Sequence, residues 1–179
     1  MKEIIYNSDN LNDIDIDEIT IRARGLIINS NDEILMCYSN GLNHYEFPGG
    51  HLENNEALLD GLKREIFEET GIELSLEEIN PFMCIKYYCK NYHRTNKNRL
   101  VEIYYFIIET DKQYNPNKTK FTESEIEQNY ECIYVKINEL KDILLENKLT
   151  TKENNSTLDD MLLVWDEYLN NMENIYGKS

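Results

Sequence analysis

Apolar and polar residues alternate from Ile19 through Ile21 and Ala23 to Gly25, and the run then becomes wholly apolar to Ile28. That pattern predicts a strand over 19–28. The cluster Asn29-Ser30-Asn31-Asp32 predicts a turn, and Glu33 to Tyr38 a second strand, so the pair reads as a hairpin. A polar loop, 39–44, leads to the short stretch Tyr45-Glu46-Phe47 and then to Pro48-Gly49-Gly50. Ala57, Leu58, Leu62 and Ile66 keep helical spacing and predict a helix over 56–70 with one buried stripe. Asn54 or Asn55 would cap its start and Gly71 would stop it.

Two long strands are expected over 82–89 and 100–109, separated by the polar, basic loop 90–98. A second loop covers 111–120, a strand 132–137, and a short helix begins at Asn138 and ends near Glu146. The last helix, about 157–172, carries Leu158, Met161, Leu162, Trp165 and Leu169 on one stripe, read as core packing in preference to a partner-binding face. Strands mixed with helices in this order predict an α/β (α+β) layered fold with a mixed sheet and a C-terminal helix, in one domain over 1–179.

Charge narrows the partners. The chain carries 18 Lys and Arg against 34 Asp and Glu, a net charge of −16. Duplex nucleic acid and anionic membranes both call for basic surfaces, so neither is expected as a partner. A small phosphate-bearing ligand remains open if a cation bridges it to carboxylates. No apolar run is long enough to span a bilayer, and the N-terminal segment lacks a basic stretch followed by an apolar one. Cys37, Cys84, Cys89 and Cys132 form no CxxC and read as reduced, mostly buried thiols of a cytoplasmic protein. Cys84, Cys89 and His93 match no standard zinc spacing.

The chemistry concentrates in 50–72. On the predicted helix Glu65, Glu68 and Glu69 lie at i, i+3 and i+4, on one face. Three carboxylates that close raise one another's pKa unless a cation neutralises them, and an all-oxygen set suits Mg²⁺ or Mn²⁺. Arg64 follows Asp60 by four residues and Glu56 by eight, so it pairs with the first turns and leaves the three glutamates free. Glu-x-x-Glu-Glu alone also fits a solvated acidic face. The glycine turn Phe47-Pro48-Gly49-Gly50 just before the helix favours the cation, because glycine backbone approaches a metal or phosphate closely.

Gly50, Glu56, Arg64-Glu65-Ile66, Glu68-Glu69, Gly71 and Ile72 match every specified position of the Nudix box, G-x5-E-x7-R-E-U-x-E-E-x-G-U, where U is bulky and aliphatic. The chain therefore resembles the Nudix hydrolases. The resemblance implies an α/β/α sandwich and cleavage of a diphosphate linkage in a nucleotide or nucleoside diphosphate derivative, by water attack on phosphorus with Mg²⁺ or Mn²⁺ bound. It implies that Glu68 and Glu69 hold the metal, with Glu65 as third ligand or general base and the Gly50 carbonyl as backbone ligand. Glu56 and Arg64 would form a supporting ion pair, and Gly71 would support the helix end. A further family glutamate, from the loop before the strand at 132–137, falls on Glu127 first and Glu125 second, with Glu123 and Glu131 also present. A catalytically silent nucleotide-binding module is the other reading.

The rest of the chain bears on substrate. Tyr87, Tyr88, Tyr92, Tyr104 and Tyr105 divide between core and base stacking, with Tyr88 and Phe47 carried forward as substrate contacts. Lys90, Arg94, Lys97 and Arg99 form a basic patch beside His93; Arg94 is the candidate for distal phosphates, against a plain solvated loop. His51 shapes the loop after Gly50, and His44 has no evident partner. A monomer or homodimer is expected.

Overall fold

The computed structural model describes residues 1–176. Its strands are β1 (Lys2–Tyr6), β2 (Glu18–Ile28), β3 (Glu33–Ser39), β4 (His44–Glu46), β5 (Gly49–His51), β6 (Ile79–Cys89), β7 (Arg99–Glu109) and β8 (Tyr130–Lys136). Four α-helices are present among the described residues: α1 (Leu58–Thr70), α2 (Glu123–Glu127), α3 (Leu140–Thr150) and α4 (Ser156–Tyr176).

One mixed sheet runs in the order β1-β6-β7-β2-β3-β4, with β5 added to β2 and β8 added to β3. β2 lies parallel to β7 along its whole length, and β1 is parallel to β6. The other pairings are antiparallel. Strand alternation sends side chains to two separate cores. Ala23, Ile27, Leu35 and Phe106 pack under Leu62 and Ile66 of α1. Leu26, Ile28, Met36, Ile85 and Ile103 pack under Leu140 and Leu144 of α3 and Leu158, Met161, Val164 and Trp165 of α4. The expected layering, helices on both faces of a mixed sheet, is what the chain adopts.

Several expectations shift. Ile19 is 62% exposed, so the inward face of β2 begins only at Ala23. The Asn54 or Asn55 cap is absent. α1 starts after Ala57, which makes no side-chain cap bond, and Asn55 takes a left-handed φ of 63° in the preceding turn. Glu56 Oε2 instead accepts the Glu53 N–H at 2.9 Å. Gly71 ends the helix as expected, at φ 69° in the left-handed region. Ala57 is exposed, whereas Leu62 and Ile66 are fully buried. β1, β5 and α2 were not expected. Three to five residues are too few to show a period.

Candidate active site

β2 and β3 share only the register pairs Ile27↔Leu35 and Ile28↔Ile34. Beyond them the strands part. β2 takes up β5, with Arg22 opposite His51, Ala23 opposite Gly50 and Arg24 opposite Gly49, while β3 takes up β4 and β8. A cavity of about 420 Å³ lies at the parting, lined from both arms and by Glu65 and Glu69 of α1. Gly49 makes the close approach possible. Its φ is 130°, and a Cβ there would stand 2.1 Å from the Ala23 carbonyl oxygen. A Cβ on Gly50 would stand 2.4 Å from Glu65 Oε2, so bare backbone faces the helix carboxylates.

Helix α1 brings Glu65 and Glu69 to the cavity wall, whereas Glu68 is not part of the lining and lies against Arg64. Glu69 is 6% exposed, and its carboxylate accepts the Gly49 N–H at 2.7 Å and the Tyr130 hydroxyl at 3.2 Å. Burial pushes its carboxyl up to about 8, against the bond from Gly49 and the field of Arg24. Glu65 is also raised, first by burial, with the charges of Glu68 and Glu125 adding to it.

Arg64 differs from the expected arrangement. It does grip Glu56 with both prongs, Nε to Oε1 and Nη2 to Oε2, each at 2.8 Å. That pairing holds Glu56 down at about 2. Yet Nη1 also donates to Glu65 Oε1 at 2.8 Å and Glu68 Oε2 at 3.1 Å, so two of the three glutamates are not free. Among the described residues no three acidic, histidine or cysteine side chains already converge as a metal cluster. The donor set nevertheless fits a hard divalent cation. It is all oxygen, and two of its carboxyls resist ionisation where they stand, a strain that a dication would relieve.

The two downstream candidates, Glu127 and Glu125, fall in different places. Glu127 is exposed and outside the cavity, whereas Glu125 lines it. The reason is the turn of α2, which places Glu125 at the third helical position. There it also closes a capping box, accepting the Thr122 N–H at 2.6 Å.

The candidate substrate residues separate in the same way. Phe47 is fully buried, edge-on to Tyr105 at 6.4 Å between centroids, and has no face for a ligand. Tyr88 lines neither this cavity nor the aromatic one that adjoins it, and donates its hydroxyl to Asp13 Oδ1 at 2.7 Å. Alternation along β6 gives the inward place to Tyr87. Tyr104 bonds Glu102 at 3.2 Å. Arg94 is exposed and lines neither cavity. Lys97 and Arg99 of the basic patch are each paired with Glu18 at 2.5 Å. His44 has a partner after all, Thr151 Oγ1 at 3.0 Å from Nδ1.

A second cavity, about 510 Å³, adjoins the first and shares Arg22 and Arg24 with it. Tyr87, Tyr92, His93 and Tyr105 line it, with Asp160 from the start of α4. Asp160 accepts the Tyr87 hydroxyl, and burial raises its carboxyl to about 6. Arg24 is buried against Glu46 at 2.6 Å and donates to the Phe47 carbonyl at 2.7 Å. Burial works against its charge, but Glu46 overcomes this and raises its pKa. Sequence reasoning passed over Arg22, Arg24, Glu46, Tyr130 and Asp160. The available signal was Arg22-x-Arg24, two charges on one face of an otherwise apolar strand.

The NUDIX domain model matches residues 19–157. A protein of Buchnera aphidicola (subsp. Schizaphis graminum) named 8-oxo-dGTP diphosphatase is 37% identical over 67 residues. That match covers 37% of this chain and 43% of the relative, less than half the relative's length. Among solved structures, the fold is similar to MutT described from Aliivibrio salmonicida and Vibrio cholerae, with TM-score 0.52 and 20% identity, over 82% of this chain and 94% of that one. It is also similar to a NUDIX hydrolase from Nitrosomonas europaea, with TM-score 0.54 and 15% identity, over 85% and 89%. The model match spans most of the chain and contains the whole 50–72 segment, so the chain belongs to the NUDIX family.

Proposed function

We propose that the chain is a divalent-cation-dependent pyrophosphohydrolase that cleaves a diphosphate linkage in a nucleotide by water attack on phosphorus. The observation that carries the reading is the junction of two cavities: one edged by Glu65 and Glu69, the other by aromatic side chains, joined at Arg22 and Arg24. A ligand with a diphosphate at one end and a flat base at the other fits that shape.

Glu65, Glu68 and Glu69, with the Gly50 carbonyl, would hold Mg²⁺ or Mn²⁺. When bound, that cation would polarise the phosphoryl oxygen and lower the pKa of water. The chain's own parts have separate tasks. Arg64, gripped by Glu56 through Nε and Nη2, would keep that tether while its Nη1 gave up Glu65 and Glu68 to the cation. Glu125 stands beside Glu65 at the cavity wall, within reach of the same ligand charge. Gly49 fixes Glu69 through its N–H. Glu125, which lines the cavity and is outside that ligand set, would take the proton from the attacking water. Tyr92 and Tyr87 flank the base, and the Asp160 carboxyl meets its N–H edge.

The purine nucleoside triphosphates and their oxidised forms come first for assay, because the similar Buchnera protein is named 8-oxo-dGTP diphosphatase. The panel extends to nucleotide sugars, ADP-ribose and dinucleoside polyphosphates. Phosphate and pyrophosphate release is measured with Mg²⁺, with Mn²⁺ and with EDTA. Metal-dependent turnover of one class supports the reading. Binding of nucleotides with no turnover on the whole panel supports the silent-module reading instead.

A further inference from the structure

The acidic chain keeps most of its site-proximal cations tied. Arg24 is held by Glu46, Arg64 by Glu56, Glu65 and Glu68, and Lys97 and Arg99 by Glu18. Arg22 is the exception. Among the described residues no carboxylate oxygen lies within 4.0 Å of its guanidinium. Among the described residues its one side-chain hydrogen bond is from Nε to His51 Nε2, at 3.0 Å, and its two terminal amino groups have no protein acceptor. The side chain is half-buried and stands next to Arg24 on the same face of β2. Half-burial and the charge of Arg24 both weigh against its own charge; the field of Glu46 acts the other way, but that carboxylate is already paired with Arg24, so a ligand anion is favoured there.

Place and aim agree. Arg22 lines both cavities, and its register partner across the β2–β5 pairing is His51, one residue beyond Gly50. Because β2 is pinned by β7 on one side and by β5 on the other, the arginine's base is fixed. The His51 nitrogen takes Nε and leaves the two terminal nitrogens open, a fork that can grip two oxygens of one phosphoryl group.

We infer that Arg22 is the phosphate clamp of the site: it binds the phosphoryl group attached to the nucleoside, between the carboxylate cavity and the aromatic cavity, and His51 is the positioning residue that orients it. The inference rests on the nucleotide reading given above, and it names the group that separates a nucleotide from its bare nucleoside.

The test is calorimetric binding in EDTA, which prevents turnover, using the four common ribonucleoside 5′-monophosphates and the matching nucleosides as probes. Wild type binds at least one monophosphate more tightly than its nucleoside. Arg22→Gln loses about 10- to 100-fold of monophosphate affinity, the worth of a charge-assisted pair, and leaves nucleoside affinity unchanged. Arg22→Lys, a point charge without the fork, recovers part of the loss. His51→Ala loses part of the same increment, and His51→Gln, whose side-chain oxygen also accepts from Nε, restores it. Equal weakening of nucleoside and monophosphate in Arg22→Gln, or no weakening of either, overturns the assignment while the nucleotide reading stands. If folded wild type binds neither probe of any pair, the nucleotide reading falls and the clamp falls with it.

Discussion

Replacing Glu69 by glutamine should make the metal-free protein more stable, and by an amount that depends on pH. The Glu69 carboxyl is buried and its pKa rises from an ordinary 4.5 to about 8. A carboxyl raised in the folded state favours folding most below its unfolded pKa, and that advantage is lost as pH rises toward the folded value. At about 1.4 kcal/mol per pH unit, wild type at pH 7 has lost about 3 kcal/mol relative to pH 4.5 through this one group. Glutamine has nearly the same shape and carries no charge. Its Oε1 can accept the Gly49 N–H, so the variant escapes the penalty. In a chain of this size, about 2–4 °C accompanies each kcal/mol, which puts the widening gap at about 6–12 °C between pH 4.5 and pH 7. The assay is thermal unfolding of both proteins in EDTA across pH 4.5–8.5. Other titrating groups are common to both and cancel in the difference. A gap that stays constant across that range would refute the argument that burial, and not hydrogen bonding, governs Glu69.

Three other outcomes follow from the same structure. Gly71→Ala forces a Cβ into a left-handed φ of 69°, 2.6 Å from the Asn115 carbonyl oxygen, and should cost at least about 1–2 kcal/mol by urea titration, with the fold retained. Asp160→Asn should stabilise the protein by up to about 3 kcal/mol at pH 7 and by only about 0.5 kcal/mol at pH 4, because the carboxyl it removes is held at about 6 against an ordinary 3.8; urea titrations at the two pH values read the difference. Trp165→Ala empties a fully buried site between the sheet and α4 and should cost about 3–5 kcal/mol. Trp165→Phe should cost far less, since among the described residues the indole N–H it removes has no hydrogen-bond partner.

What was legible in the sequence follows from length and period. The strands at 18–28, 33–39, 79–89 and 99–109 and the helices at 58–70 and 156–176 are long enough to show alternation or helical spacing. The stripe Leu158, Met161 and Trp165 is fully buried, as spacing alone implied. The glutamates of α1 were legible because a helix fixes which residues share a face. What was missed depends on long-range pairing. β5 has three residues and exists because Gly49 and Gly50 let it lie against β2. Arg64 reaches Glu65 and Glu68 as well as Glu56, a matter of side-chain direction that spacing rules leave open. Glu125 faces the cavity and Glu127 does not because a single short helix rotates them by about 200°, and that helix depends on its Thr122 cap. Tyr87 and Tyr88 alternate across a strand, so one residue of register decides which can meet a ligand. Arg22 and Arg24 acquired meaning only when β5 and α4 closed around them.

The central claim is that the α1 carboxylates hold the cation on which hydrolysis depends. The direct measurement is turnover of the best panel nucleotide as Mg²⁺ is titrated, in wild type and in Glu68→Gln, a variant at a carboxylate that is not deeply buried. Wild type should show no turnover in EDTA and a saturable rise with Mg²⁺. The variant should be slower by about 100-fold or more, the scale expected when several kcal/mol of charge stabilisation is lost. Full turnover in EDTA, or a variant with the wild-type rate and the same Mg²⁺ dependence, would contradict the account.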